Sequence, residues 1–372
     1  MARLLSLTSF KIFPPHMGGQ KGVFYFYKYL SNYHDIHMVV SRDNTEAIET
    51  TLPVYPLLYP NKEMIRNLFI IRRLADLVRK LDIDCIIAEH SYTGWIAWLL
   101  KKMTGRPFAI HSHNLETYRF KQMKRSWWPL YRLYEKWIHQ KADCSFFISE
   151  IDKAIAVKEF NIEERKCWVA PYGIEPPNQI VDAHNVLKQQ LGLHSKFIFY
   201  FNGTLDYEPN IEAVQHLIDK VNPELEKKQL DYTIIISGKR LSGNLQNKIK
   251  SQKRMIYIDY ASDVELVYQG SDLFLNTVTN DSGIKTKLVE AIANNCTAIS
   301  TESGSKGIKT EVCGSKLKIV RNEDWQCFVD KIVGSLNEPK SSTQQKFYSF
   351  YAWQTIAAET ATKLEQVIGI KK

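Results

Sequence analysis

At 372 residues the chain is too long for one typical domain of roughly 100–200 residues and fits two. Its 44% hydrophobic and 24% charged residues are ordinary for a globular protein and exclude a disordered or fibrous chain. The net charge of +9, from 49 Lys+Arg against 40 Asp+Glu, favours anionic partners (nucleotides, nucleic acid or acidic membrane) without choosing among them.

Six cysteines are scattered singly, with no CxxC and no His/Cys metal spacing, so a reduced, cytoplasmic protein is expected. Leu4–Phe10 reads as a first buried strand and not as a signal peptide, because Lys11 follows at once. No stretch reaches the roughly 18–20 uninterrupted apolar residues of a membrane span.

In chain order, short apolar runs recur: RLLSLTS, IHMVVS, IDCIIAEH, PFAIHSH, CSFFIS and KCWVAP. Longer helical patterns separate them, such as EMIRNLFIIRRLADLVRKL and WWPLYRLYEKWIHQKA. Continuous apolar strands alternating with helices predict a parallel sheet covered on both faces. Around Pro171 three prolines and few apolar clusters mark a linker and a short helix. The alternation then restarts with KFIFYFNG, YTIIISG, MIYIDY, DLFLNTV, CTAIST and KLKIV, each followed by helical texture except the last pair's short connection. Two doubly wound α/β halves are expected, with ligands beyond the carboxyl ends of the strands and a cleft between the halves.

Several strand-to-helix loops have phosphate chemistry. In PPHMGGQKG the first helix opens on Gly18-Gly19, where backbone N–H groups can face an anion. The spacing of Gly18, Gly19 and Gly22 is not GxGxxG, and a plain turn with a helix cap explains it equally. In PFAIHSHNLE, His111 and His113 share one face of a strand end. His111 reads as a structural histidine and His113 as a contact for a sugar hydroxyl or phosphate; a metal site needs a third ligand that the sequence does not identify. FYFNGTLDYEPN and IIISGKR end strands on Gly203 and on Gly238-Lys239.

The segment DSGIKTKLVEAIANNCTAIS, residues 281–300, combines a flexible loop, Lys285 and a helix from Thr286 to Asn294. A helix N-terminus favours an anion by about 0.3–1 kcal/mol when exposed. Gly283 permits close approach, Lys285 can reach a diphosphate, and Glu290 can accept bonds from two vicinal ribose hydroxyls. Two solvated lysines with a paired glutamate are the competing account. RFKQMKRSWWPLYRLYEKW, residues 119–137, is rich in basic and aromatic residues. It reads either as a surface for an anionic inner membrane or as a helix burying Trp127, Trp128, Leu130, Leu133, Tyr134 and Trp137 with its charges outward. No nucleic-acid motif accompanies the charge.

These segments in this order resemble the GT-B glycosyltransferases, specifically the retaining glycosyltransferase family 4, over nearly the whole chain. SGIKTKLVEAIANNCTAIST with ESGSKGI carries most of the resemblance; FNGTLDYEPN, the Gly18-Gly19 loop, SHNLE and the KADCSFFISEID and VAPYGIE stretches add to it. The resemblance implies a GT-B architecture of two Rossmann-like domains facing a cleft. Residues 1–175 form the acceptor-side domain, residues 176–349 the nucleotide-sugar domain, and a last helix in 350–372 crosses back to the first. It implies a UDP- or GDP-sugar donor as co-substrate, a glycan or lipid-linked acceptor, no metal or other cofactor, and a hexose transferred with retention for surface polysaccharide or glycolipid. Contact with the inner face of the membrane belongs to the same expectation.

By the resemblance, Glu290 holds the ribose, and Lys285 with the N–H groups around Gly283 and Ile284 meets the diphosphate or donor sugar. Gly19, beside Gly18, approaches the phosphate from the other domain; His113 contacts the donor sugar, and Tyr260 lies where the base is held. Gly203, Gly238 and Lys239 flank the same site. Two positions depart from the pattern. The family's glutamate eight residues before Glu290 falls on Ser282, with Asp281 adjacent, and Thr204-Leu205-Asp206 stands where an arginine is usual. Lys285 and Lys239 are expected to replace that positive charge. The altered acid position also allows a non-catalytic nucleotide-sugar-binding subunit, and the fold allows an epimerase or phosphorylase.

Overall fold

The computed structural model describes residues 1–15, 17–44, 50–259, 261, 263–280, 285–339 and 341–369. Two compact units divide the chain. The first contains Met1–Gly173 and Tyr351–Lys372, the second Ile174–Asp281 and Lys285–Phe350.

The first unit holds a seven-stranded sheet: β1 (Arg3–Thr8), β2 (Asp35–Ser41), β3 (Val54–Leu58), β4 (Cys85–Glu89), β5 (Phe108–Ser112), β6 (Cys144–Phe147) and β7 (Cys167–Val169). The order is β3-β2-β1-β4-β5-β6-β7, and every pair is parallel. Strands buried on both faces need apolar residues at successive positions, and β4 and β6 are buried throughout. The strand order reverses between β1 and β4, which opens a crevice at their carboxyl ends.

The second unit repeats the plan with six strands: β8 (Phe197–Asn202), β9 (Tyr232–Ser237), β10 (Met255–Ile258), β11 (Leu273–Asn276), β12 (Thr297–Thr301) and β13 (Leu317–Val320). Their order is β10-β9-β8-β11-β12-β13, again all parallel, with the reversal between β8 and β11. Helices on its faces bury Leu217, Val221, Leu245, Ile249, Phe328 and Ile332 against the sheet.

Three local expectations differ from the structure. β3 has no counterpart in the predicted strands, because Pro53 and Pro56 interrupt the apolar run. The strand is the sheet edge, where a missing N–H is tolerated, and the register shifts beside it at Val40/Ser41. The helical run over residues 63–81 divides into a 3₁₀ stretch, Asn61–Ile70, and an α-helix, Ile71–Lys80. Buried Asn67 causes the division: its amide bonds Tyr59 and the Met64 carbonyl, while Ile65, Leu68 and Phe69 face outward. The last helix is also two pieces, Gln345–Tyr351 and Trp353–Ile368, separated by extended backbone at Ala352 (ψ 129°). Trp353 there packs its ring where a Cβ on Gly173 would lie, 2.4 Å from Cδ2.

All six cysteines are free thiols, five of them buried. Among the described residues no helix is long and apolar enough to cross a membrane.

Candidate functional site

In the first unit the carboxyl ends of β1, β4 and β5 bring together groups far apart in sequence. Glu89 ends β4 and is fully buried. It accepts a hydrogen bond from Tyr27 Oη at 2.5 Å, from His111 Nδ1 at 3.1 Å and from His113 Nε2 at 2.6 Å. Burial alone would raise the Glu89 carboxyl; the charges and hydrogen bonds of His111 and His113 override it and hold the group well below the usual carboxylate range. Burial, then the neighbouring His111, pushes His113 down, and Glu89 opposes this incompletely. A neutral His113 that donates from Nε2 keeps the Nδ1 lone pair as an acceptor, suited to a hydroxyl. Burial and Glu89 push the Tyr27 hydroxyl up, so it remains a donor.

Glu89 is the third group that the two histidines lacked in the sequence. The ligand atoms of Glu89, His111 and His113 lie within 4.8 Å of one another, close enough together to serve one cation. Hydrogen bonds already join them directly, and a metal ion would have to displace the ring protons on both bonds. The sequence signal for Glu89 was an acid at the end of an otherwise apolar strand run, AEH.

The helix Gly18–Leu30 follows β1. A Cβ added at Gly19 meets nothing within 4 Å, so packing does not demand glycine there. Gly22, one turn on, is packed: its Cβ would lie 3.4 Å from the Tyr172 ring and 3.9 Å from His113 Cε1.

His90 takes the rare conformation φ 60°, ψ 164° and stacks on His113, with ring centroids 4.5 Å apart. Its Nδ1 is 3.4 Å from Glu116 Oε1, and Glu116 Oε2 is 3.1 Å from Arg119 Nη1. Glu135 accepts bonds from the Glu116 and Thr117 N–H groups at 3.0 and 2.9 Å and from the Thr117 and Ser91 hydroxyls. It thereby caps the helix Glu116–Gln122, and burial pushes its carboxyl up to about 7.

In the second unit Gly203 and Gly238 directly follow β8 and β9. Gly238 has φ +151°, and a Cβ there would sit 1.8 Å from the Gly203 carbonyl oxygen. Its glycine is therefore required by the meeting of two loops within the protein. Lys239 is exposed beside it. Lys285 is buried and begins the helix Thr286–Ala293, where no side chain among the described residues caps the N-terminus. Glu290 is half-buried, with the Tyr268 hydroxyl 3.4 Å from its Oε2; Asn202 at the end of β8 bonds that hydroxyl at 2.9 Å. Tyr260, Asp281, Ser282, Gly283 and Ile284 lie outside the described residues.

Two cations here escaped the sequence reading. Lys287, solvated only in the competing account, points back onto β8: its Nζ bonds Asn210 Oδ1 at 2.6 Å and stands 4.3 Å over the Phe201 ring. Burial, then the charge of Lys285, pushes its ammonium down to about 7. Arg240, from the loop after β9, bonds Asp206 Oδ2 at 3.0 Å, which places a guanidinium beside the Thr204–Asp206 loop that lacks its own. A helical i, i+3 relation of Lys287 to Glu290 was the available signal for the first; the second needed the pairing of β8 with β9.

The 119–137 segment matches neither account fully. The helix Trp128–Lys141 buries Glu135, Ile138 and His139, and packs Tyr134 and Trp137 partly against the core. Trp127, Leu130 and Leu133 are 44%, 71% and 63% exposed, so the expected buried face is corrected for these three. The reason is periodicity: the core takes the stripe centred on Glu135 and Ile138, which turns Leu130 and Leu133 outward.

A model described as Glycosyltransferase Family 4 matches residues 17–177, and one described as Glycosyl transferases group 1 matches residues 196–338. A Klebsiella pneumoniae protein named "Uncharacterized 44.6 kDa protein in cps region" is 23% identical over 87% of this chain and 88% of its own. The structure of sucrose-phosphate synthase from Thermosynechococcus elongatus superposes with TM-score 0.78 at 15% identity, over 99% of this chain and 100% of that one. Anabaena HepE, solved with UDP and glucose, superposes with TM-score 0.74 at 16% identity, over 98% and 100%.

Proposed function

The chain belongs to the glycosyltransferases of the GT-B fold, and from that premise we propose that it moves a hexose-type sugar from a UDP- or GDP-sugar to a glycan or lipid-linked acceptor with retention. The observation that carries the donor reading is Glu290, half-buried behind a helix N-terminus that no side chain among the described residues caps and that also carries Lys285 and Lys287. A carboxylate that accepts from vicinal hydroxyls and cations aimed at a diphosphate are the two halves of nucleotide recognition. Negative charge grows on the departing nucleoside diphosphate as the glycosidic bond breaks. Lys285 and the N–H groups at this helix N-terminus oppose that charge in a fixed arrangement, the usual source of the largest catalytic term, and Lys287 adds charge from its place against Asn210. Asp281, Ser282, Gly283 and Ile284 belong to the same loop by family pattern, with Gly203, Gly238 and Lys239 flanking it and Tyr260 at the base.

His113 meets the donor sugar in this reading, its free Nδ1 accepting a hydroxyl, while Gly18 and Gly19 approach the phosphate. With these cations present the transfer needs no metal; full activity in chelator supports that, and loss restored by a divalent ion refutes it. Retention and the surface-polysaccharide setting rest on the family and on the relative named for a cps region.

Thermal unfolding with UDP, GDP, ADP, CMP and NAD tests the donor site. A ligand of the folded state stabilises by about 2.7 kcal/mol at a hundredfold excess over Kd. One nucleoside diphosphate is expected to shift the transition, and a flat response to all five overturns the site. Transfer without loss of the donor anomeric configuration, read by NMR of the product, tests retention.

The exposed Met123, Trp127, Leu130 and Leu133 lie among Lys121, Lys124 and Arg125, a composition that suits the anionic inner face of a membrane. This patch supports placing the protein in the cytoplasm, resting on that surface. It should co-sediment with phosphatidylglycerol vesicles and lose most of that binding with Leu130→Ser and Leu133→Ser together. Equal sedimentation of the double variant removes the patch from the contact.

A further inference from the structure

A pocket of about 450 Å³ opens in the first unit beside the histidine cluster. Its wall includes His90, Tyr92, Arg119, Phe120, Arg125 and Trp127, and among the described residues none that lines it is acidic. The volume falls in the range of small-molecule sites.

Three features give this pocket a ligand. Two guanidinium groups line it: Arg119, paired with Glu116 at 3.1 Å, and Arg125, which is exposed. Guanidinium forks match phosphate and carboxylate oxygens. Tyr92, Phe120 and Trp127 form a connected aromatic wall, with Phe120 6.4 Å from Tyr92 and 4.5 Å from Trp127. Faces of that kind cover the apolar C–H side of a sugar ring and leave its hydroxyls free for polar partners. His90 also lines the pocket, and its Nδ1 faces the buried Glu116 carboxylate at 3.4 Å. A residue held at φ 60° costs free energy, and such strained positions gather at binding sites.

His90 also joins the pocket to the chemistry, since its ring lies on that of His113. A molecule seated against His90 is one ring from the residue assigned to the donor sugar. We infer that this pocket receives the acceptor of the proposed transfer, and that the acceptor carries a phosphate or carboxylate beside its sugar ring. The inference rests on the glycosyltransferase reading and adds the acceptor's class to it.

Ligand-observed NMR titrations of the full chain with glucuronic acid, glucose 6-phosphate and methyl glucoside test it. UDP is kept saturating so that phosphate sites of the second unit are filled, and its own binding is recorded in the same samples. The charged sugars are expected to bind at least about tenfold more tightly than methyl glucoside, the scale of one charge-assisted hydrogen bond. Arg125→Gln, at an exposed position that leaves the fold intact, is expected to abolish that preference. Trp127→Ala is expected to weaken all three sugars. Preference for glucuronic acid identifies a uronate acceptor, and preference for glucose 6-phosphate a phosphorylated one; either supports the proposal. Equal binding of methyl glucoside, or an unchanged preference in Arg125→Gln, overturns it. Failure of UDP to bind counts against the donor reading and is visible separately from the sugar titrations.

Discussion

Glu290→Ala is expected to weaken nucleoside-diphosphate binding on the order of a hundredfold while the second unit stays folded. A carboxylate that accepts from two vicinal hydroxyls contributes two charge-assisted bonds, each about 1.5–3 kcal/mol. A hundredfold loss, about 2.7 kcal/mol, lies just below the roughly 3–6 kcal/mol of that pair, since water replaces part of what the hydroxyls lose. The stability cost should be small. Glu290 is half-buried, and the Tyr268 hydroxyl beside it keeps Asn202 as a partner. Calorimetric titration of the variant with the nucleotide identified by thermal shift decides the point. Equal affinity in a folded variant removes Glu290 from the donor site. Lys287→Met separates charge from bulk at the neighbouring position and is expected to lower affinity less than Glu290→Ala, because Lys285 remains.

Glu89→Ala should produce the largest stability change in the molecule. It leaves Tyr27, His111 and His113 as buried donors without their common acceptor. Removing one member of a buried charged network costs about 3–5 kcal/mol. At roughly 2–4 °C per kcal/mol for a unit of this size, the transition of the first unit falls by roughly 10 °C. A change below about 1 kcal/mol, measured by urea unfolding, would show that the network does not hold the β4 and β5 ends together.

The same network sets an acid sensitivity with a defined sign. The folded Glu89 carboxyl titrates below its ordinary 4.5, so its contribution is complete above about 4.5 and is lost as pH falls further. His90 and His113 titrate below their ordinary 6.5 in the folded state. The unfolded chain therefore binds their protons first, and stability begins to fall once pH drops below about 6.5. Both effects act in one direction, and the first unit should be most stable above pH 6.5. Glu89→Gln keeps the shape and removes the lower limb of the profile. An unchanged limb in that variant would assign the acid sensitivity to other groups. His113→Ala, by contrast, should reduce turnover more than donor affinity.

The regular alternation of buried strands and helices was written in local sequence. Runs such as CIIA in β4, apolar at successive positions and too short for a helix, suit a strand covered on both faces. The strand-to-helix junctions at Gly19, Gly203 and Lys285, with Glu290 one turn into the last helix, were legible for a related reason: they fall where one periodicity ends and the next begins. Family resemblance then joined those loops to a donor. β3 was not legible because its prolines contradict strand propensity, and only its place at the sheet edge makes them harmless.

By itself, then, the sequence determined two parallel α/β halves, their strand-end loops and the glycosyltransferase family. The tertiary structure decided which groups meet. Glu89 reaches His111 and His113 because β4 pairs in parallel with β5, in a register that sets Glu89 opposite His111. Lys287 leaves solvent for Asn210 and Phe201, and Glu135 leaves the wet face of its helix to cap another. Such partners are brought together by strand pairing and helix packing across many intervening residues, and no periodicity along the chain encodes them.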